Sequence, residues 1–331
     1  MKKYIALTLV LVLALFAFVG CGAKSVKTGL GVVSSIASSK EPADGDGTAQ
    51  VDSVAAAVLV GEDGKIVSCR IDTAQTKINF NAQGAITTPL DSVIKSKQEK
   101  GPEYNMKPAS GIGKEWNEQA DAFAAYVVGK TVDEVKAIAL NEEGAPSGAD
   151  IVSSVTIHVT DYIEAIAKAV ANAKDLGAKA GDTLGLGLTT NIASSTNAAA
   201  DAEGRAQAYT HYAATTFGKD GKITSCYMDA SQTNIGISVE GKITTDLASA
   251  FKTKNELGPE YGMKGASGIG KEWNEQAEAF AKYVVGKTVD DVKGMALNEE
   301  GAPSGADIVS SVTIHVTDMI DVVAKAGANA K

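Results

Sequence analysis

Asp150-Ile151-Val152-Ser153-Ser154-Val155-Thr156 recurs letter for letter as Asp307-Ile308-Val309-Ser310-Ser311-Val312-Thr313. The identity runs well beyond the heptapeptide, since Ser110–Asp161 returns as Ser267–Asp318 with five differences. Further upstream, Gln50–Lys97 aligns without a gap on Gln207–Lys254 at just under half identity. Gly29-Leu30-Gly31 and Ile36-Ala37-Ser38-Ser39 return as Gly185-Leu186-Gly187 and Ile192-Ala193-Ser194-Ser195, one residue out of step with the rest. Two copies of one unit, 27–174 and 183–331, therefore account for most of the chain, with a Gly- and Ala-rich linker at 175–182 that reads as short and exposed. Solenoid repeats have periods of about 20–50 residues, so a repeat of this length is a tandem domain duplication. The strand-rich part of the unit has diverged freely, whereas the later part has scarcely changed.

Within a unit the hydrophobic period changes from two to nearly four. Val54–Val60 and Lys65–Ile71 flank Glu62-Asp63-Gly64, a hairpin signal. Lys77–Asn81 and Ala85–Thr87 flank a second turn at Gln83-Gly84. Helical spacing then appears in Leu90–Lys97 and Lys114–Val128, the latter with Trp116, Ala120, Phe123 and Val127 on one stripe. Gly129 closes that helix, Thr131 caps a shorter one running to Leu140, and Asp161–Ala173 reads as a third, amphipathic helix. Strands in a meander followed by segregated helices predict an α+β domain, built twice.

The N-terminus speaks to compartment. Lys2 and Lys3 precede an apolar run, Ile5–Val19, which is shorter than the roughly 20 residues of a spanning helix and ends at Gly20-Cys21-Gly22. Residues 1–20 read as a secretory signal peptide, and Val19-Gly20-Cys21 resembles a bacterial lipobox, with Phe18 in place of the usual leucine. In that reading Cys21 is lipidated and becomes the new N-terminus, residues 21–26 form a tether, and the acyl chains hold the protein on the outer face of the cell membrane. The net charge of −9 and the lack of a basic cluster beyond the N-terminus argue against nucleic acid as a partner. Cys69 and Cys226, one per unit, cannot form a disulfide within a unit and read as buried strand residues.

Taken on residue chemistry alone, the repeated heptapeptide names no reaction. Val155, Ile157 and Val159 alternate with Thr156 and His158, the pattern of a half-buried strand, which would make Thr156 and Thr313 outward strand residues. His158 and His315 have no signalled third partner for a catalytic triad, and no metal-ligand spacing is present. No substrate-specific acid–base set is visible either, which favours a carrier over an enzyme with its own substrate.

The heptapeptide resembles the flavinylation signature of FMN-binding domains, Asp-x-x-(Ser/Thr)-Gly-Ala-Thr, whose final threonine is joined to FMN through a phosphoester. Asp150, Ser153 and Thr156 match it, as do Asp307, Ser310 and Thr313; Ser154-Val155 and Ser311-Val312 stand where the signature has Gly-Ala. With the lipobox and the two tandem units recur Gly101-Pro-Glu-Tyr-Asn-Met-Lys107 (Gly258–Lys264) and Ser110-Gly-Ile-Gly-Lys-Glu-Trp116 (Ser267–Trp273). Together they are similar to the extracellular flavin-bearing lipoproteins of Gram-positive electron-transfer chains. The resemblance implies two covalent FMN groups, attached by a dedicated flavin transferase. It also implies electrons arriving from a membrane quinol-linked donor and leaving to extracellular acceptors.

Under this resemblance Met106, Trp116, Met263 and Trp273 are candidate neighbours of the isoalloxazine ring, with core packing as the alternative for both tryptophans. Asp150 and Asp307 serve transferase recognition or loop structure. Backbone N–H groups at the start of the helix near Asp161 or Asp318 would accommodate the phosphate. Covalent attachment suits an exported protein, since a dissociable cofactor would be lost by dilution. The alternatives are a cofactor-free binding or antigenic surface lipoprotein of the same fold, the redox subunit of a surface reductase, and a signal-peptide fragment with a signalling role of its own.

Overall fold

A computed structural model describes residues 24–331; the signal peptide at 1–20 and the lipidation site Cys21 lie outside the described residues. Each half holds one three-stranded antiparallel meander and a set of helices on one of its faces, so the chain is α+β and built of two similar halves. In the first half β1 (Lys27–Ser35), β2 (Gly47–Val60) and β3 (Ile66–Phe80) pair in chain order. Helices α1 (Lys97–Lys100), α2 (Trp116–Tyr126), α3 (Val132–Lys136) and α4 (Thr160–Ala171) follow. The second half repeats them as β4 (Thr183–Asn191), β5 (Gly204–Phe217), β6 (Ile223–Ile237), α5 (Lys254–Leu257), α6 (Trp273–Val284), α7 (Val289–Lys293) and α8 (Thr317–Asn329).

The hairpin at Glu62-Asp63-Gly64 forms as expected, with Gly64 at φ +75 and Gly61 N–H donating to Lys65 O at 2.9 Å. Other expectations need correction. Lys65–Ile71 and Lys77–Asn81 are parts of one long strand, β3, because the polar stretch between them is buried: Asp72, Thr73 and Thr76 are each at most 2% exposed. Leu90–Ser96 is not helical: a turn at Leu90-Asp91 leads into an irregular stretch in which Ile94 bridges to Thr190 and Val93 is 88% exposed. The helix instead starts after Ser96, whose hydroxyl accepts from Glu99 N–H while the Glu99 carboxylate accepts from Ser96 N–H. Thr131 caps α3 as read, but the helix stops at Lys136.

β1 carries no strand signal of its own because glycine occupies two of its alternating positions. Those glycines let α4 lie directly on the sheet. A Cβ on Gly29 would stand 1.9 Å from Ala169 O, and one on Gly31 would stand 2.2 Å from Ala165 O. Gly185 and Gly187 make the same approach to Ala326 O and Val322 O under α8.

Each sheet buries both faces. The outer face of β1–β3 packs on α2 and α4 around Val54, Ala56, Val58, Phe123 and Ile166. The inner face meets the other half's sheet through Leu30, Ala57, Leu59, Leu184, Leu186 and Tyr212 at one end, and Ile36, Phe80, Ile192 and Ile237 at the other. The edges also meet, β1 alongside β6 and β3 alongside β4. Thr28 Oγ1 and Ser225 Oγ are 2.7 Å apart across the first seam, and Arg70 Nε donates to Leu184 O at 3.0 Å across the second. The result is a four-layer stack, helices–sheet–sheet–helices, with approximate two-fold symmetry. Lys168 of α4 pairs with Glu256 at 3.0 Å, and its counterpart Lys325 of α8 pairs with Glu99 at 2.8 Å. The inner faces differ at several equivalent positions, and most in size where the second half has Tyr212, fully buried with its hydroxyl 2.7 Å from Ser231 Oγ, and the first has Ala55.

The linker exposes Asp175, Gly177, Lys179 and Gly181, as expected, but is pinned at its middle. Ala178 is fully buried in the shared core, Val26 N–H donates to Ala178 O at 3.1 Å, and Ala180 N–H donates to Lys24 O at 2.7 Å. Val26, read as part of the tether, is docked here as well. Burying this crossing adds apolar area to the contact between the halves.

Candidate functional site

The repeated heptapeptide is not a strand. Asp150–Ser154 coil into a tight turn, with Val152 N–H donating to Gly148 O and Val155 N–H to Ile151 O, and the chain then runs extended into α4. Its buried residues are Ile151, Val155 and Val159, spaced by four, all within the core cluster under the helices. The alternation of Val155, Ile157 and Val159 therefore misleads, because Ile157 is only half-buried. Val155, in the place of the signature's alanine, finds room in the core, and Ser154 needs no left-handed backbone. Thr156, Thr313, Ser153 and Ser310 all face outward.

What holds the threonine is Gln119, a fully buried amide on α2. Its Oε1 accepts from Thr156 N–H at 2.8 Å and from Thr156 Oγ1–H at 3.2 Å. Its Nε2 donates to Ser110 Oγ at 3.1 Å. Four residues earlier, Glu115 caps the same helix, and its Oε2 accepts from Met106 N–H at 2.9 Å. Two side chains on adjacent turns of α2 thus knit together the three repeated segments: 101–107, 110–116 and 150–156. The second half repeats the arrangement, with Gln276 bound to Thr313 and Ser267, and Glu272 bound to Met263. A buried amide with every group engaged is costly to disturb, so each threonine hydroxyl has a fixed origin on the surface.

Four residues beyond the threonine, α4 begins after Val159, which supplies no side-chain cap. The first-turn N–H groups consequently have no capping side-chain acceptor, and the helix dipole presents partial positive charge there. Gly144 (φ +72) sits under this entry: a Cβ on it would meet His158 Cε1 at 2.8 Å and Thr160 Oγ1 at 2.9 Å. Gly301 leaves the same space for His315 and Thr317, and His315 Nε2 lies 3.1 Å from Thr317 Oγ1. Asp150 is placed beside Tyr126, whose hydroxyl its carboxylate pushes above the ordinary range, and Asp307 lies beside Tyr283.

Trp116 and Trp273 lie behind the site, at 2% and 3% exposure, as parts of the two core clusters. Trp116 Nε1 donates to Tyr162 OH at 2.8 Å. Met319 replaces Tyr162 in the second half, and Tyr209 of β5 takes over beside Trp273, in the position occupied by Asp52 in the first half. Lys97 Nζ sits 4.7 Å from the Tyr104 ring centroid and 5.3 Å from that of Trp116. Lys254 is more enclosed. It donates to Tyr209 OH at 2.6 Å, with the rings of Tyr209, Tyr261 and Trp273 at 4.3, 4.4 and 5.0 Å, and burial pulls its ammonium down to about 7. His211 is buried beside them. It lies 3.6 Å from Asp318 Oδ2, near enough for an ion pair, but burial and the Lys254 charge lower its pKa to about 3, so the imidazole is neutral.

Sequence reading missed Gln119, Glu115, Lys97 and Lys254. Gln119 and Gln276 lie next to the apolar stripe within the near-identical block, and a polar residue beside such a stripe was the available signal. Cys69 and Cys226 are buried strand residues as expected, and burial pushes their thiols up to about 12. Among the described residues no cluster of three or more His, Cys, Asp or Glu is placed to hold a metal, and no helix is long and apolar enough to cross a membrane. Comparison with family models, curated proteins and solved structures finds no match to the chain.

Proposed function

We propose that the chain is a lipid-anchored electron carrier on the outer face of a cell membrane, with one FMN esterified through its phosphate to Thr156 and a second to Thr313. The observation that carries this reading is the paired geometry of the threonines. In each half an outward hydroxyl is held by a buried glutamine, just before the uncapped N-terminus of a long helix. An outward hydroxyl is what a transferase must reach. The uncapped first turn supplies N–H groups and partial positive charge for a phosphodianion or its ester. The Ser-Val replacement is compatible with the turn, since Val155 packs into the core without strain at Ser154.

FMN, when bound, supplies one- and two-electron chemistry that no side chain here offers. The chain's own contribution is positional. Gln119 and Gln276 fix the attachment points, while Met106 and Met263, partly buried against the cores, can border a ring lying over that surface. Trp116 and Trp273 act as the packed wall behind it rather than as stacking partners. In this reading the flavin transferase, a membrane quinol-linked donor and extracellular acceptors are the partners, and the fold is that of an FMN-binding domain used twice.

Intact-mass measurement on protein isolated from its native host tests the proposal. The expected result is two FMN adducts, with one lost in Thr156→Val and the other in Thr313→Val. Native protein without flavin would overturn it and leave the cofactor-free surface lipoprotein as the better reading.

A further inference from the structure

The two halves differ at a place remote from the threonine turns, where α6 crosses β6 and the chain leaves the first half. The second half has a half-open cavity of about 160 Å³ there. Cys226, Tyr227 and Met228 of β6 form its floor, Ala281 and Val285 line its wall, and Lys174 stands at its rim. The corresponding place in the first half holds only about 40 Å³.

The first half is closed by identifiable contacts. Arg70, in the place of Tyr227, is drawn across to Leu184 O. Gln98, in the place of Asn255, reaches both Ile71 O and Asp121 Oδ1 at 3.1 Å. Lys331, the counterpart of Lys174, seals the mouth through a 2.8 Å ion pair with Asp121. None of these closures exists in the second half. Asn255, one methylene shorter, donates to Met228 O at 2.7 Å and goes no further. Glu278, the counterpart of Asp121, is engaged at 2.8 Å by Lys282, where the first half has Ala125. Lys174 is left 5.4 Å above the Tyr227 ring and forms no ion pair among the described residues.

These features define a ligand class. A cavity of about 150 Å³ accepts one benzene-sized ring. The tyrosine ring in the lining favours an aromatic over an aliphatic occupant. Lys174, Lys282 and Glu278 leave the lining a net positive charge of one, and Lys174, which shares the field of Glu278 without contacting it, stands at the open end. We propose that this cavity binds a small single-ring aromatic carboxylate, with its ring against Tyr227, Met228 and Val285 and its carboxylate on Lys174. The site is separate from the flavin reading, because Asn274, Glu278, Ala281 and Val285 lie on the side of α6 turned away from Gln276.

The test is titration of the full chain with benzoate at low ionic strength, followed by amide chemical shifts. Benzamide serves as the uncharged ring and acetate as the ringless anion. The expected result is one saturable benzoate site with Kd of roughly 10 µM to 1 mM, as befits so few ligand atoms, and shifts confined to 174–176, 226–228 and α6. Benzamide should bind at least about tenfold more weakly, by analogy with other charge-assisted contacts. Lys174→Gln, a surface change, should weaken benzoate to the same degree. The double variant Tyr227→Arg, Asn255→Gln installs the first half's own residues and should abolish binding. Absence of saturation, acetate matching benzoate, Lys174→Gln binding as well as the parent chain, or equal shifts around Arg70 would each overturn the assignment.

Discussion

Gln119 Oε1 accepts both the backbone N–H and the hydroxyl of Thr156, at 2.8 and 3.2 Å, and Gln276 holds Thr313 in the same way at 2.8 and 3.3 Å. The attachment candidate in each half is thus positioned from the core outward, by a buried side chain that repeats unchanged.

Gln119→Leu is expected to destabilise the protein by about 1–3 kcal/mol, since the Thr156 amide loses its acceptor while an apolar group of similar size fills the space. Hydrogen exchange at the Thr156 amide should accelerate while the Thr313 amide stays protected. In the native host, flavin on the first half should fall and flavin on the second should persist. Unchanged exchange at Thr156 would show that the turn holds itself.

Gly29→Val places its branched side chain where α4 carbonyls now stand, so helix and sheet must separate. The expected loss is about 3 kcal/mol or more in chemical denaturation, at the upper end for overpacking. Gly45→Val meets nothing within 4 Å of its Cβ and should stay near the parent midpoint. Equal midpoints for the two variants would refute the close approach of α4.

Asp72 and Asp229 keep their protons up to about pH 7 because burial disfavours the carboxylate, despite bonds from Gln98 N–H and Asn255 N–H. Their unfolded values lie near 3.9, so between about pH 4 and 7 the folded chain binds more protons than the unfolded one. Their stabilising contribution is complete below pH 4 and is lost as pH rises to 7, by up to roughly 1.4 kcal/mol per pH unit for each group. His211 acts in the opposite sense: its folded pKa of about 3 lies below the unfolded 6.5, so its contribution is lost as pH falls through that window. The double variant Asp72→Asn, Asp229→Asn should therefore gain on the parent chain as pH rises from 4 to 7. A gain that shrinks over that range would contradict the buried, protonated state.

Calorimetry of the described chain should show one transition, because the inner faces of both sheets share two apolar clusters and neither sheet has a dry inner face alone. Tyr212→Ala should cost about 3–5 kcal/mol, as for other large-to-small changes in a core, and lower that single transition. Two separated transitions in the parent chain would mean that the halves fold independently.

Parts of β2 and β3, the hairpin at Asp63-Gly64 and the existence of helices α2 to α4 were legible because their apolar residues keep the right period. β1 was not, since its outward positions are Gly29 and Gly31, and a strand that packs backbone against backbone shows no alternation. The threonine turn was misread for a related reason. Val155-x-Ile157-x-Val159 has a strand's period, yet the buried set is Ile151, Val155 and Val159, and only the contact with α2 reveals it. Gln119 was missed as a site residue because its place beside the apolar stripe signals burial only, and its partner Thr156 lies 37 residues away. The linker's exposure was legible in its composition, but the docking of Ala178 between the two sheets was not, since small residues suit a loose segment and a tight crossing alike.

Tyr212 and Ala55 make the halves non-interchangeable. A chain with two copies of the second half's strands would bring two phenol rings into a space holding one, and two copies of the first half's would leave a void. Exchanging the outer helices or the threonine turns between the halves would therefore leave the shared core intact, whereas exchanging the central strands would not. The halves are thus near-copies in their outer elements and complements at the core they share.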